Sequence, residues 1–189
     1  AERLGSFLAQ VYEGALTELT IEYRGEVTQL ELAPITTAAL KGLLTPILEE
    51  PVNFVNAPLI AKERGIQVKE IRSTEVEEFI SLVRLRATSG ARIVSVAGTL
   101  GSRKEPRIVE VDGLPLEVIP EGDLLMLYND DKPGVVGNVG VLLGSRGINI
   151  AGLQLGREKP GGRAISIVSI DTPLSDAVLA EIRRLPHVV

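Results

Sequence analysis

LLMLYNDDKPGVVGNVGVLLGSRGINIAGLQLG, residues 124 to 156, holds a strand, a helix and a second strand with the signals that begin and end each. Leu124 to Tyr128 is an apolar run of strand length, and the polar Asn129-Asp130-Asp131 turn follows it. Lys132-Pro133-Gly134 comes next, and a proline suits the first turn of a helix, where its missing N–H would have no partner. Asp131 stands just upstream, where a carboxylate accepts from orphan N–H groups and meets the positive end of the helix dipole. Val135, Val139, Leu142 and Leu143 recur at helical spacing and predict one buried face. Gly137, Gly140 and Gly144 fall on another face. A mid-helix glycine costs about 0.5–1 kcal/mol relative to alanine, so several together predict close approach by another backbone or a small ligand. Gly147 reads as the left-handed stop, and Ile148 to Leu155 as the next strand. A change of side-chain parity between Ile150 and Leu153 predicts a bulge at Ala151-Gly152.

The same logic extends to the C-terminus. Gly156 to Gly162 is a loop, Ala164–Ile170 a third strand, and Thr172-Pro173 opens a helix with Leu174, Val178, Ile182 and Leu185 inward. Only Val188-Val189 remain to begin a final strand, which predicts a βαββαβ unit with its last strand cut short. Its strands are apolar on both parities, while two helices cover one face. The uncovered face predicts a homodimer or higher assembly; coverage by the first block of the same chain is the other reading.

Working outward to the N-terminus, Leu4, Phe7, Leu8 and Val11 predict a helix, and the alternation around Leu19, Ile21 and Tyr23 a strand. Thr36-Thr37 reads as a cap for a helix with Leu40, Leu43, Leu44, Ile47 and Leu48 inward, kinked at Pro46. Asn56 and Pro58 start a third helix that Gly65 ends. Strands follow over residues 66–71, 79–87, 93–100, 107–111 and 116–119, with Asp112-Gly113 the strongest hairpin signal. The expected class is α+β: an antiparallel-sheet domain with helices over residues 1–119, then a ferredoxin-like domain over residues 120–189.

Composition narrows function by exclusion. With 44% hydrophobic residues and 3% aromatic, the core is aliphatic. A net charge of −5 without a basic cluster argues against nucleic acid. The chain has no cysteine and one histidine, His187, so no thiolate chemistry is expected and no histidine-based triad or metal cluster either. No apolar run is long enough for a membrane span and no signal-peptide pattern is present, so a cytoplasmic protein is expected. The abrupt start without methionine reads as a fragment or processed product.

Few residues group into anything chemical. Asn129, Asp131 and Asn149, beside a helix start, suit a zwitterion: N–H donors for its carboxylate and Asp131 for its ammonium. Equally, Asp131 reads as a cap and Asn149 as a turn residue. Arg103, Lys104 and Arg107 offer an anion site or simply a solvated hairpin loop. Glu75, Glu77 and Glu78 read as a solvated acidic face. The α-helical glycines do not spell G-x-G-x-x-G and support no dinucleotide site. No catalytic set, no metal site and no cofactor are expected in this chain.

At these residues a family resemblance emerges. Asp131-Lys-Pro133-Gly134 after an apolar strand, followed by Gly147-Ile-Asn149-Ile150, resembles an ACT domain, a small amino-acid-sensing module. Gly42-Leu-Leu44, the run from Val52 to Ile66 (VNFVNAPLIAKERGI) and Val96 to Leu100 resemble the intervening domain of long-form D-3-phosphoglycerate dehydrogenases. The resemblance implies the C-terminal regulatory part of such an enzyme, whose parent oxidises 3-phosphoglycerate with NAD in serine biosynthesis through catalytic domains that lie outside this chain. It further implies L-serine as feedback inhibitor between ACT domains of two subunits of a homodimer or homotetramer. Asn129 and Asp131 would come from one subunit and Asn149 from the other. Relatives carry His or Tyr at the place of Asn129. Arg107 matches one position of a second, anionic effector site, while Leu114, Pro115, Ile119 and Ser169 stand where basic groups are expected. Two competitors are the small subunit of iron–sulfur L-serine dehydratase and an oligomerisation module without effector.

Overall fold

A computed structural model describes residues 1–76 and 78–189. The chain divides into two compact units, residues 1–113 and 114–189. Glu77, part of the acidic run, lies outside the described residues.

The first unit opens with α1 (Glu2–Val11), β1 (Glu18–Gly25), a single 3-10 turn, α2 (Leu32–Leu44) and α3 (Ala57–Glu63). Then come β2 (Gln67–Ser73), β3 (Ser81–Ser89), β4 (Arg92–Leu100) and β5 (Pro106–Val111). The strands lie in the order β2-β1-β3-β4-β5. All neighbours are antiparallel except β2, which runs parallel to β1. The α2–α3 connection explains the exception, since parallel neighbours need a long crossover, usually helical. Leu19, Ile21, Tyr23, Leu85 and Val96 are fully buried, as are Leu8 and Leu40 or nearly so. On the other parity, Arg84 on β3 bonds Glu22 on the neighbouring β1 and Glu110 on β5, beyond β4.

Two expectations for α2 fail. It starts before Thr36-Thr37, because Pro34 is tolerated in a first turn and the Thr36 hydroxyl donates to Glu70 instead of capping. It also ends before Pro46 without a kink, leaving Ile47 half exposed. At Asp112-Gly113 both residues have positive φ, 49° and 78°, the type I′ conformation expected there.

The second unit contains β6 (Leu114–Val118), β7 (Asp123–Asp130), α4 (Val135–Ser145), β8 (Ile150–Arg157), β9 (Arg163–Ile170) and α5 (Asp176–Ile182). Its antiparallel sheet runs β7-β9-β8. Val188 bridges to Asn129, and Val189 N–H donates to the Tyr128 carbonyl, which places the start of a fourth strand beside β7. This is the ferredoxin-like arrangement. Leu125, Leu127, Val168 and Ile170 from the sheet pack with Val139, Leu143, Val178 and Ile182 from the helices. The bulge falls at Ala151, between Ile150 and Gly152. Ser175 caps α5, accepting from Val178 N–H at 3.4 Å, three residues later than Thr172-Pro173 suggested.

The second face of this sheet is not open at its centre. Ile165 and Ile167 are fully buried within the chain. On that face β6 crosses β8 so closely that a Cβ on Gly156 would lie 2.4 Å from the Pro115 carbonyl oxygen. Exposed apolar surface lies instead along β8, at Ile150, Leu153 and Leu155, and on α4 at Val136 and Val141. Among the described residues β8 pairs only with β9, so its outer edge is free. No helix among the described residues is long and apolar enough to cross a membrane.

Candidate functional site

The loop that ends β7 and the loop between β8 and β9 are fastened together by Asp131. Its N–H donates to the Gly162 carbonyl at 2.8 Å. Its Oδ2 accepts from Gly161 N–H at 3.1 Å and from Arg157 Nη1 at 2.9 Å. Gly161 takes φ of 76° in this turn, a conformation that favours glycine. The Gly161 N–H first, then the Arg157 guanidinium, holds the Asp131 carboxyl below its ordinary pKa.

Asp131 is therefore not the cap of α4. That role falls to Gly134, whose φ of 96° turns the chain into the helix, and among the described residues no side chain caps the first N–H groups. The expected turn at Asn129-Asp130 is absent as well. Both residues are in β7, and Asn129 is buried at 3% exposure on the helix-facing side. Ser166 Oγ donates to Asn129 Oδ1 at 3.0 Å, and Asn129 Nδ2 donates to the Asp130 carbonyl. His187, the one histidine, lies with Nδ1 3.6 Å from Asp130 Oδ2.

Asn149 sits elsewhere. It immediately precedes β8, and its Nδ2 donates to Asp171 Oδ2 at 2.7 Å, just past the end of β9. Asn129 pairs with Ala164 at the opposite end of β9. At about 3.3 Å per residue, the length of β9 separates the two ends by about 20 Å. One copy of the chain thus brings Asn129 and Asp131 together and leaves Asn149 at the far end of the sheet.

The basic loop is self-contained. Arg107 Nε and Nη2 donate to Glu105 Oε1 at 3.0 and 2.6 Å, and Arg103 N–H donates to Glu105 Oε2. A carboxylate of the loop thus occupies the place an anion would take. Arg107, then the backbone, lowers the Glu105 pKa. Lys104 stands at positive φ in the same turn.

The α4 glycines lie inside a helix rather than in a turn before it, so they form no nucleotide cradle. A Cβ at Gly137, Gly140 or Gly144 would meet nothing within 4 Å. Among the described residues nothing makes the close approach that their spacing predicts.

Arg157 is the residue that sequence reasoning missed. It stood in a stretch read only as a separator, GREKPGG. The available signal was a cation at the end of a strand, followed by a glycine turn, opposite an unpaired aspartate.

Residues 1–112 match the family model of the D-3-phosphoglycerate dehydrogenase intervening domain, and residues 124–187 match that of the ACT domain. The chain is 39% identical over 188 residues to a D-3-phosphoglycerate dehydrogenase of Methanocaldococcus jannaschii, covering 100% of this chain and 36% of the relative. A protein of the same name from Synechocystis is 40% identical over 186 residues, covering 98% and 34%. One from Bacillus subtilis is 35% identical over 189 residues, covering 100% and 36%. The chain thus spans about a third of the length of these curated relatives.

Proposed function

The chain belongs to the D-3-phosphoglycerate dehydrogenase intervening-domain family, and on that premise we propose that it is the regulatory region of such an enzyme, binding L-serine between the ACT domains of two copies. The effector's ammonium goes to Asp131 of one copy, beside Asn129, and Asn149 of the other copy closes the site. NAD-dependent oxidation of 3-phosphoglycerate, in the cytoplasm, is the activity of the whole enzyme and needs domains besides these two.

One observation carries this reading: Asp131 and Asn149 lie at opposite ends of β8, whose outer edge is unpaired among the described residues. Two such edges meeting antiparallel bring the Asp131 end of one copy to the Asn149 end of the other, twice by symmetry. Ile150, Leu153 and Leu155, 36–38% exposed, supply apolar surface along that edge. The Gly137-Gly140-Gly144 face of α4 lies open for a partner's approach. Regulation is then linkage: serine favours the subunit arrangement to which it binds more tightly, and only that difference reaches the distant catalytic domains.

Calorimetric titration of this chain tests the reading. L-serine is expected to bind at millimolar concentration or tighter, and Asp131→Ala to abolish the heat. Thermal stabilisation by L-serine but not D-serine separates a sensor from an effector-free oligomerisation module. Binding that survives Asp131→Ala, or its absence in the unaltered chain, refutes the assignment.

A further inference from the structure

We propose that Arg157 is the carboxylate-binding and specificity-determining residue of this effector site, an inference that rests on the reading above. The Arg157–Asp131 pair is arranged to receive a zwitterion. Both hydrogen bonds to the Asp131 carboxylate fall on Oδ2, from Gly161 N–H and Arg157 Nη1. Among the described residues Oδ1 takes no hydrogen bond. Arg157 uses only Nη1 in this pair, so Nη2 and Nε keep their donors.

An α-amino acid carries its ammonium and carboxylate on one carbon. Laid across the ion pair, it puts the ammonium against Oδ1 and the carboxylate against the free guanidinium edge. Each charge then faces two of opposite sign and one of its own at greater distance. The planar guanidinium also offers parallel N–H donors to the two carboxylate oxygens.

Neither group has to move far. Asp131 is fixed by its own N–H on Gly162 and by Gly161 on its carboxylate. Arg157 projects from β8, paired with Ala164 in the register that also pairs Asn129 with Ala164. The guanidinium therefore stands on the side of the sheet where Asn129 lies. Its half-exposed side chain leaves room for a ligand to reach the remaining donors. Because Arg157 closes β8, an antiparallel meeting of two β8 edges also carries it to the Asn149 end of the second copy.

Arg157 accordingly predicts which small amines are refused. Ethanolamine keeps serine's ammonium and hydroxyl and lacks the carboxylate. It should satisfy Asp131 and leave the guanidinium without its anion.

The experiment titrates this chain with L-serine and with ethanolamine by calorimetry. The unaltered chain is expected to prefer L-serine by about tenfold or more, the scale of a charge-assisted hydrogen-bonded pair. Arg157→Met should weaken L-serine by a similar factor and leave ethanolamine as tight or tighter, since Asp131 loses its competing partner. Arg157→Lys should keep part of the preference. Lys132→Met, which removes a neighbouring positive charge, should keep all of it. Unchanged melting temperatures would show that the variants fold. Preference retained in Arg157→Met would place carboxylate recognition on other donors, such as the first N–H groups of α4, and overturn the proposal. Equal loss in Lys132→Met would reduce the effect to a diffuse field and overturn it as well. Absence of L-serine binding in the unaltered chain would refute the effector site itself, a result distinct from both.

Discussion

Replacing Gly42 by alanine tests the packing of the first unit at the point where α1 and α2 come closest. A Cβ on Gly42 would lie 1.9 Å from the Glu2 carbonyl oxygen, and one on Gly5 would lie 2.2 Å from that of Ala39. The obstruction is backbone on both sides, so no rotamer change relieves it. The helices must part by more than an ångström, disturbing buried Leu4, Leu8, Leu40, Leu43 and Leu44 together. Overpacking of this kind costs about 1–3 kcal/mol. Alanine returns about 0.5–1 kcal/mol through its better helix propensity. The expected net loss is about 1–2 kcal/mol, or about 5–15 °C in the melting of a unit of about a hundred residues. Differential scanning calorimetry reads this directly, with far-UV circular dichroism confirming that helix content persists. Gly137→Ala is the matched control. It adds the same methyl to a helix where nothing lies within 4 Å, and should stabilise the separate chain by about 0.5–1 kcal/mol. A Gly42→Ala chain as stable as the original, or both variants shifting the same way, would refute the argument from close approach.

The remaining predictions concern charge and assembly. Arg84→Met leaves Glu22 and Glu110 facing each other without their shared cation at a mostly buried position. It should cost about 2–4 kcal/mol in urea unfolding, and an effect near zero would show the network to be dispensable. Burial raises the Glu22 pKa, but hydrogen bonds from Arg24 and Arg84 outweigh it and the net shift is downward. Asp131 has its folded pKa lowered from 3.8, so its contribution is full above that unfolded value and is lost as pH falls through the lower one. The melting-temperature gap between the chain and Asp131→Asn should therefore be present at neutral pH and close on acidification; a gap that widened would reverse the sign of the argument. Leu155→Lys puts a charge on the free β8 edge and should weaken self-association by sedimentation and L-serine binding in parallel; loss of one without the other would separate assembly from sensing.

Side-chain periodicity disclosed most of the elements, and the exceptions share a physical cause. Local signals name a residue's best nearby partner, and a distant partner can outbid it. Thr36 read as a cap, yet its hydroxyl donates to Glu70, thirty-four positions away. Asp131 read as a cap, yet Arg157 at the end of β8 and Gly161 on the loop that follows hold its carboxylate. Asn129 read as a turn residue because asparagine favours turns, and it is buried in β7 because Ser166 satisfies its side-chain oxygen. Strand direction is invisible to parity altogether, which is why β2 gave no sign of being parallel to β1. Glycines divide in the same way. Gly5 and Gly42 are required by a close helix crossing within the chain, whereas a Cβ at Gly137, Gly140 or Gly144 would meet nothing within 4 Å among the described residues. One sequence signal therefore has two structural meanings.

That division bears on the site. Asn129, Asp131 and Asn149 stood out in the sequence as polar groups bordering one helix, and proximity along the chain suggested that they converge. A helix of 11 residues between them carries the chain the length of the sheet instead. A site built from both ends cannot close within one copy. The bare α4 glycines, the apolar β8 edge and the half-used Asp131–Arg157 pair all belong to the second unit. Each is costly or idle in isolation: glycine in a helix loses stability, an unpaired edge invites association, and a surface ion pair contributes little. A two-fold meeting along β8 would use all of them at once, which is the physical reason for proposing an effector site between copies rather than within one.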